Sequence, residues 1–254
     1  MKRILYLAIA AVLFASCGSE EKKDASDGVS SEVEKVMKEK SGQERQSPSV
    51  PKLEQQPAPK RKMDNAQVSN SEVKNYFNAG IQKYQAGNYA AGIKEFEKVV
   101  RVDPGNARAY YNLGLGRHHT DDFSGAVDAF THVLEINPED TLALLYRGLT
   151  YYLLQDFKRS IQDYNKALEI DPEYAKVYYN RGTVRGQMKD YTGAIKDFSK
   201  AIELKPGFTG AYFHLGHAYY FRGNVHEACY YWKKAGEMGF TDAERLIQEY
   251  CLDE

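Results

Sequence analysis

Residues 175–208 read AKVYYNRGTVRGQMKDYTGAIKDFSKAIELKPGF, and their spacing decides the fold. Pro206, near the end of this stretch, lies 34 residues after Pro172, which follows Pro138 and Pro104 at the same interval. A fixed period of this length marks a chain built from stacked copies of one supersecondary unit. With Val73 as the first residue of a copy, five copies fit without a gap over residues 73–242, as 73–106, 107–140, 141–174, 175–208 and 209–242.

Within this frame small and large residues recur at fixed places, as two closely packed antiparallel helices require. Repeat position 8 is Gly80, Gly114, Gly148, Gly182 and Gly216. A missing side chain there lets the second helix approach the first, which outweighs roughly 1 kcal/mol of lost helix propensity. Position 20 is also small: Gly92, Ala126, Ser160, Ala194 and Ala228. Position 24 carries a ring, Phe96, Phe130, Tyr164, Phe198 and Trp232. Burying each such ring contributes roughly 1.5 to 3 kcal/mol.

Tyr178, Arg181, Gly182, Tyr191, Ala194, Phe198, Ala201 and Pro206 follow the spacing of the tetratricopeptide repeat family, which the chain resembles over residues 73–242. Two departures stand out. Lys83, Arg117 and Arg185 replace the usual aromatic of the first helix, and Phe240 stands where a fifth proline belongs. The resemblance implies an all-α fold, a right-handed α-solenoid of five helix-turn-helix repeats. A terminal repeat exposes the apolar face that a neighbour otherwise covers. Ala243, Leu246, Ile247 and Tyr250 have helical spacing, so residues 243–254 are expected to supply a capping helix. At the other end Ser69 and Glu72 have the spacing of a capping box.

Upstream, the composition changes. Of 20 Tyr, 11 Phe and one Trp, only Tyr6 and Phe14 precede residue 73. Such a segment cannot bury enough apolar area to offset its conformational entropy, so residues 17–72 read as a disordered linker rich in Ser, Glu, Lys, Gln and Pro. As a flexible coil of about 55 residues it spans on the order of 40 Å. Residues 1–16 have the layout of a secretory signal: Lys2-Arg3, eleven apolar residues from Ile4 to Phe14, then Ala15-Ser16. Eleven are too few to cross a bilayer, which takes roughly 20. Ala15-Ser16-Cys17, with Leu13 upstream, resembles the lipobox of bacterial lipoproteins, Phe14 being a departure from its usual aliphatic residue. That resemblance implies a lipid on Cys17. No Asp follows Cys17, which is unlike an inner-membrane retention signal, so the expected address is the outer membrane, on its periplasmic face or at the cell surface.

In the tetratricopeptide family the first helix of each repeat lines a concave surface, through positions 2, 5, 9, 12 and 13. The resemblance therefore implies a protein-binding groove. Repeat 1 supplies Phe77, Ile81 and Tyr84 with Lys74 and Gln85; repeat 2 supplies Arg108, Tyr111 and Leu115 with His118 and His119. Repeat 3 is apolar throughout, with Leu142, Leu145, Leu149, Tyr152 and Leu153. Lys176, Tyr179, Phe213, His217, Tyr220 and Phe221 complete the surface, with Thr183, Gly186, Gln187 and Gly210 between them. An exposed apolar patch of this size marks an interaction site, and the expected partner is an extended peptide or amphipathic helix lying across Tyr111, Leu145, Leu149, Tyr152 and Tyr179. The alternatives are burial of these side chains against one another and a homodimer contact. The carboxylate clamp of chaperone-binding relatives is not expected, because Phe77, Ile81, Leu142 and Tyr146 occupy its places around Asn112.

Other chemistry is sparse. The 34 basic and 35 acidic residues are evenly spread, with no polybasic arm to hold nucleic acid. No cluster of carboxylates or thiols joins His118-His119 or His214 with His217, so no metal is expected. No phosphate loop, nucleophile elbow or carboxylate pair remains once the repeat glycines are assigned to packing, so neither cofactor nor enzymatic activity is expected. Cys229 and Cys251 either form a disulfide or lie as buried thiols. The function that follows is a membrane-tethered scaffold or adaptor in the cell envelope, serving an outer-membrane assembly such as a secretion, pilus or motility apparatus. A stand-alone peptide-binding or ligand-binding lipoprotein is the alternative.

Overall fold

The computed structural model describes residues 70–251. The signal segment, Cys17, the linker up to residue 69 and Ser69 of the capping box lie outside the described residues. The described chain is helix and turn: α1 (Asn70–Gln85), α2 (Tyr89–Val102), α3 (Ala107–His119), α4 (Phe123–Ile136), α5 (Thr141–Leu153), α6 (Phe157–Ile170), α7 (Ala175–Gln187), α8 (Tyr191–Leu204), α9 (Thr209–Phe221), α10 (Val225–Glu237) and α11 (Asp242–Tyr250). None of these is long and apolar enough to cross a membrane. From α2 on, each helix packs against the next in chain order, and α1 joins through ring contacts to α2. Five helix pairs thus stack into an α-solenoid, closed by α11.

The helix pairs are held by one recurring contact. The ring at position 24 lies flat against the position-8 glycine of its own repeat, so a methyl group placed on that glycine meets ring atoms at 2.7, 2.6, 2.7, 2.9 and 2.5 Å in repeats 1 to 5. All five rings are buried to 1% exposure or less. They also reach onward: Phe130 stacks on Tyr146 of the next repeat at 5.9 Å, and Phe198 on His214 at 5.7 Å.

Each pair turns through a residue in the left-handed region at repeat position 15. Repeats 1 and 5 place Gly87 and Gly223 there, but repeats 2 to 4 place Asp121, Gln155 and Lys189, at φ of 61°, 59° and 63°. A side chain there costs roughly 1 to 2 kcal/mol. The next residue caps the second helix: Asn88, Asp122, Asp156 and Asp190 each accept a hydrogen bond from the backbone N–H three residues on. Position 16 thereby satisfies one of the orphan donors that start every helix.

The three basic departures from the family pattern have partners. Lys83 pairs with Glu95, and Arg185 with Asp197 at 2.7 Å. Repeat 2 has Ala129 in the equivalent place, so Arg117 turns to Glu97 at 3.2 Å and Asp122 at 3.7 Å. Arg147 and Arg181 make two-pronged bonds to Asp163 and Asp197 and extend to Thr131 and Asn165 on the preceding repeat. These half-buried clamps bind one repeat to the next with the geometric selectivity of guanidinium-carboxylate pairs.

Both ends of the stack are altered. Positions 3, 6 and 10 face the preceding repeat, and position 3 is buried Ala109, Ala143, Val177 and Ala211 in repeats 2 to 5. In repeat 1 the three positions are exposed Asn75, Asn78 and Gln82, so α1 offers no apolar face for another repeat. Asn70 stands where the 34-residue period would place a proline, and α1 runs three residues ahead of Val73. At the far end position 28, elsewhere Val100, Leu134, Leu168 and Ile202, becomes Gly236, and Ile247 of α11 fills the space. Position 21 becomes Cys229, joined by a disulfide to Cys251 with Cα atoms 5.6 Å apart. Without its proline, α10 stops at Glu237 on left-handed Gly239, and Phe240 packs on Phe213 at 4.4 Å.

Two substitutions test this construction by thermal melting. Gly182→Ala should lower the midpoint by several degrees, reflecting about 2 kcal/mol of overpacking, while Gly207→Ala, with nothing near its added methyl, leaves it unchanged. Lys189→Gly should stabilise by about 0.5 to 1 kcal/mol, because the left-handed penalty exceeds the entropy that glycine loses on folding.

Candidate functional site

The first-helix side chains expected to line a groove divide into two sets. Leu145, Tyr152 and Tyr179 are core residues, with 2%, 7% and 6% of their surface exposed. Phe213 and His217 are buried as well. For these five the groove expectation is corrected in favour of self-burial, and the packing supplies the reason. Tyr179 is enclosed by Phe198, Phe208 and His214, with ring centroids 5.8, 4.6 and 5.6 Å away. Phe213 lies between His217 and Phe240, each 4.4 Å away.

Several others are half-buried because they hold repeats together. The Tyr84 hydroxyl donates to the Asn112 carbonyl at 2.9 Å, and its ring occupies space left by Gly92 and Gly116. Burial pushes that hydroxyl's pKa upward. Phe77 meets Phe96 edge-on and carries the Arg108 guanidinium over its face at 4.9 Å. Tyr111 rests on Phe130 and Tyr146, and Tyr220 on Trp232 and Tyr250.

What stays accessible is a floor of aliphatic side chains centred on repeat 3. Leu142 is 47% exposed at position 2, and Leu115, Leu149 and Leu153 are half-buried at positions 9 and 13. Ile81 at one end and Thr183 and Gln187 at the other are also half-buried, while Lys74 and Arg108 are exposed and Lys176 half-buried. Partly accessible leucines at the register of one helix face are the feature that marks a candidate interaction surface, whereas scattered ones are not.

One wall of this surface comes from residues that the first-helix pattern leaves out. Position 17, the first residue of each second helix, is Tyr89, Phe123, Phe157, Tyr191 and Val225. Its ring covers position 12 of the same repeat: Tyr89 lies 5.2 Å from Tyr84, Phe123 5.8 Å from His118, and Phe157 5.9 Å from Tyr152. This is why His118 and Tyr152 sink into the core. The same rings meet position 13 of the next repeat, Tyr89 stacking on His119 at 4.2 Å and Tyr191 on Phe221 at 5.5 Å. The signal was present in the sequence as an aromatic recurring every 34 residues.

The histidines serve packing. Thr150 donates to the Tyr146 carbonyl at 2.7 Å, so His118 Nδ1, 3.1 Å from the same hydroxyl, donates to it. His118 Nε2 is then the unprotonated nitrogen, buried with no hydrogen-bond partner, and a proton there would be stranded. Burial, aided by His119, pushes His118 down to about 4. Burial likewise lowers His214 to about 3, with His217 adding to the shift, and His217 to about 4. Among the described residues no three His, Cys, Asp or Glu side chains converge as metal ligands.

A solenoid of helix pairs with a continuous first-helix face is the architecture of a repeat scaffold protein. Tetratricopeptide repeat profiles match residues 77–141 and 175–208, and a TPR repeat profile matches residues 148–189. The chain belongs to the tetratricopeptide repeat family. Among solved structures it is similar to MamA: one crystal structure is 26% identical, with a TM-score of 0.62, over 72% of this chain and 98% of MamA. MamA residues 41 to the end from Desulfovibrio magneticus RS-1 are 20% identical, with a TM-score of 0.63, over 66% of this chain and 94% of that one. YrrB, titled a TPR protein with an unusual peptide-binding site, is 20% identical, with a TM-score of 0.58, over 67% of this chain and 88% of its own. No curated protein sequence matches the chain.

The buried histidines predict acid sensitivity. Each titrates near 6.5 when unfolded and at 4 or below when folded, so the unfolded state binds more protons between those values. Stability is therefore lost as the pH falls below about 6.5, by on the order of 3 to 4 kcal/mol in total between about pH 7 and about pH 5.5. Urea unfolding at the two pH values should show this loss, and His118→Gln should reduce it by roughly a third.

Proposed function

We propose that this chain is an envelope adaptor, a lipid-anchored scaffold that binds segments of other proteins along the concave face of its repeats. The observation that carries the reading is the floor formed by Leu115, Leu142, Leu149 and Leu153. Neighbouring apolar residues of the same helices are spent on the core, yet these four, at repeat positions 2, 9 and 13, keep part of their surface accessible. A tetratricopeptide solenoid with such a floor suits recognition of a peptide or of one face of an amphipathic helix.

The envelope location draws on independent features. The first sixteen residues have the layout of an export signal, and Ala15-Ser16-Cys17 has the lipobox pattern. Lipidation of Cys17 would supply the two or more acyl chains that stable anchoring requires. The Cys229 to Cys251 disulfide fits an oxidising compartment outside the cytoplasm. In this reading the linker of about 55 residues gives the solenoid a reach on the order of 40 Å from its membrane, enough to collect a subunit of an outer-membrane assembly.

The test is mild crosslinking in intact cells, affinity purification through a C-terminal tag and mass spectrometry. Wild type is compared with the variant Leu142→Ser, Leu149→Ser, Leu153→Ser, after circular dichroism has shown that the variant folds. Loss of one defined envelope protein from the variant is the expected result. An unchanged partner list contradicts the groove reading, and the absence of any partner in wild type contradicts the adaptor.

A further inference from the structure

The charge of the groove narrows what fills it. Beyond Glu72 in the first turn of α1, the five first helices contain no Asp or Glu, although acidic side chains are common in the second helices and turns. The first helices do carry bases, and these fall into two groups. Lys83, Arg117, Arg147, Arg181 and Arg185 point toward second helices and are matched there by Glu95, Glu97, Asp163 and Asp197. The second group occupies repeat position 2, on the concave side: Lys74 and Arg108, both exposed, and Lys176, which is half-buried and engaged within the fold.

Four carboxylates at helix starts are already engaged. Asp122, Asp140, Asp156 and Asp190 are turned onto the backbone N–H groups of the helices they cap. Arg108 is held over the ring of Phe77, which fixes its guanidinium at the groove without neutralising it. Leu142 takes position 2 in repeat 3, so along the stack the surface changes from cationic in repeats 1 and 2 to aliphatic in repeat 3.

We infer that the groove selects a linear segment of another protein that is acidic at one end and apolar beyond it. The acidic part lies over Lys74 and Arg108, and two or three large apolar side chains sit on Leu142, Leu149 and Leu153. The cations set the direction and steer the encounter, and the leucines supply the buried area. This inference rests on the groove reading of the function and adds the partner's chemistry to it.

The experiment uses the full chain and two fluorescein-labelled peptides of about 16 residues, matched to the size of a typical recognition segment. Both carry the same Leu and Phe positions at one end; the other end is rich in Glu and Asp in the first peptide and in Lys in the second. Binding is read by fluorescence anisotropy. The acidic peptide should bind at least roughly tenfold more tightly than the basic one, with the advantage shrinking as NaCl is raised from about 50 to about 200 mM. Lys74→Glu with Arg108→Glu, at exposed positions, should erase that advantage in a variant that circular dichroism shows to be folded. Leu149→Ser should weaken both peptides.

Equal binding of the two peptides, still abolished by Leu149→Ser, overturns the charge selection while leaving the groove reading intact. Binding that is indifferent to Leu149→Ser overturns the groove reading itself. Failure of the acidic peptide to bind overturns the inference. So does a dimer of the free chain that Leu149→Ser dissociates, because the groove then belongs to a second copy.

Discussion

The contact on which this molecule depends is the seating of one aromatic ring on one glycine, repeated five times. With no Cβ at position 8, the second helix comes close enough for the position-24 ring to lie on the first helix backbone. That closeness turns an amphipathic helix pair into a unit with two faces, one presented to the next repeat and one to solvent. The ring also extends to the following repeat, so the interaction that closes a hairpin helps to stack the array. A quasi-one-dimensional protein gains its stability from such nearest-neighbour terms.

Much of this was legible in the sequence, because period and side-chain size report packing directly. The prolines at 104, 138, 172 and 206 fix the phase, and the small residues at positions 8 and 20 announce the close approach. The capping helix was legible for the same reason, from the spacing of Ala243, Leu246, Ile247 and Tyr250. The groove was harder to read. Position in a helix says which way Leu145, Tyr152 and Tyr179 start out, but not what closes over them. Closure came from other parts of the chain: rings at position 17, the inter-repeat residue Phe208 and the neighbouring His214. A pattern read along one helix does not include those partners. Lys83, Arg117 and Arg185 looked like defects in the family pattern until their carboxylates on the second helices were placed.

The same division explains how a surface for partners survives in a protein so rich in rings. At positions 5 and 12 Leu145, Tyr179, Phe213, His118 and Tyr152 belong to the core, whereas the leucines at positions 2, 9 and 13 keep part of their surface accessible. Charge follows a similar partition. Bases that face second helices are neutralised inside the fold, and the exposed Lys74 and Arg108 at position 2 are left for whatever the groove receives. The ends are treated differently again, with polar residues on α1 and a disulfide-held helix over repeat 5, so neither end offers an apolar face for adding further repeats.

The central claim is that the leucine floor of repeat 3 meets another protein while the opposite side of the same repeat does not. The most direct measurement is in-cell photocrosslinking from a photoreactive residue placed at Leu142, compared with one at the exposed Lys166 of α6. Discrete crosslinked products of the chain with a second protein from position 142 alone are the predicted result. Equal products from both positions, or products from position 166 alone, would contradict the account.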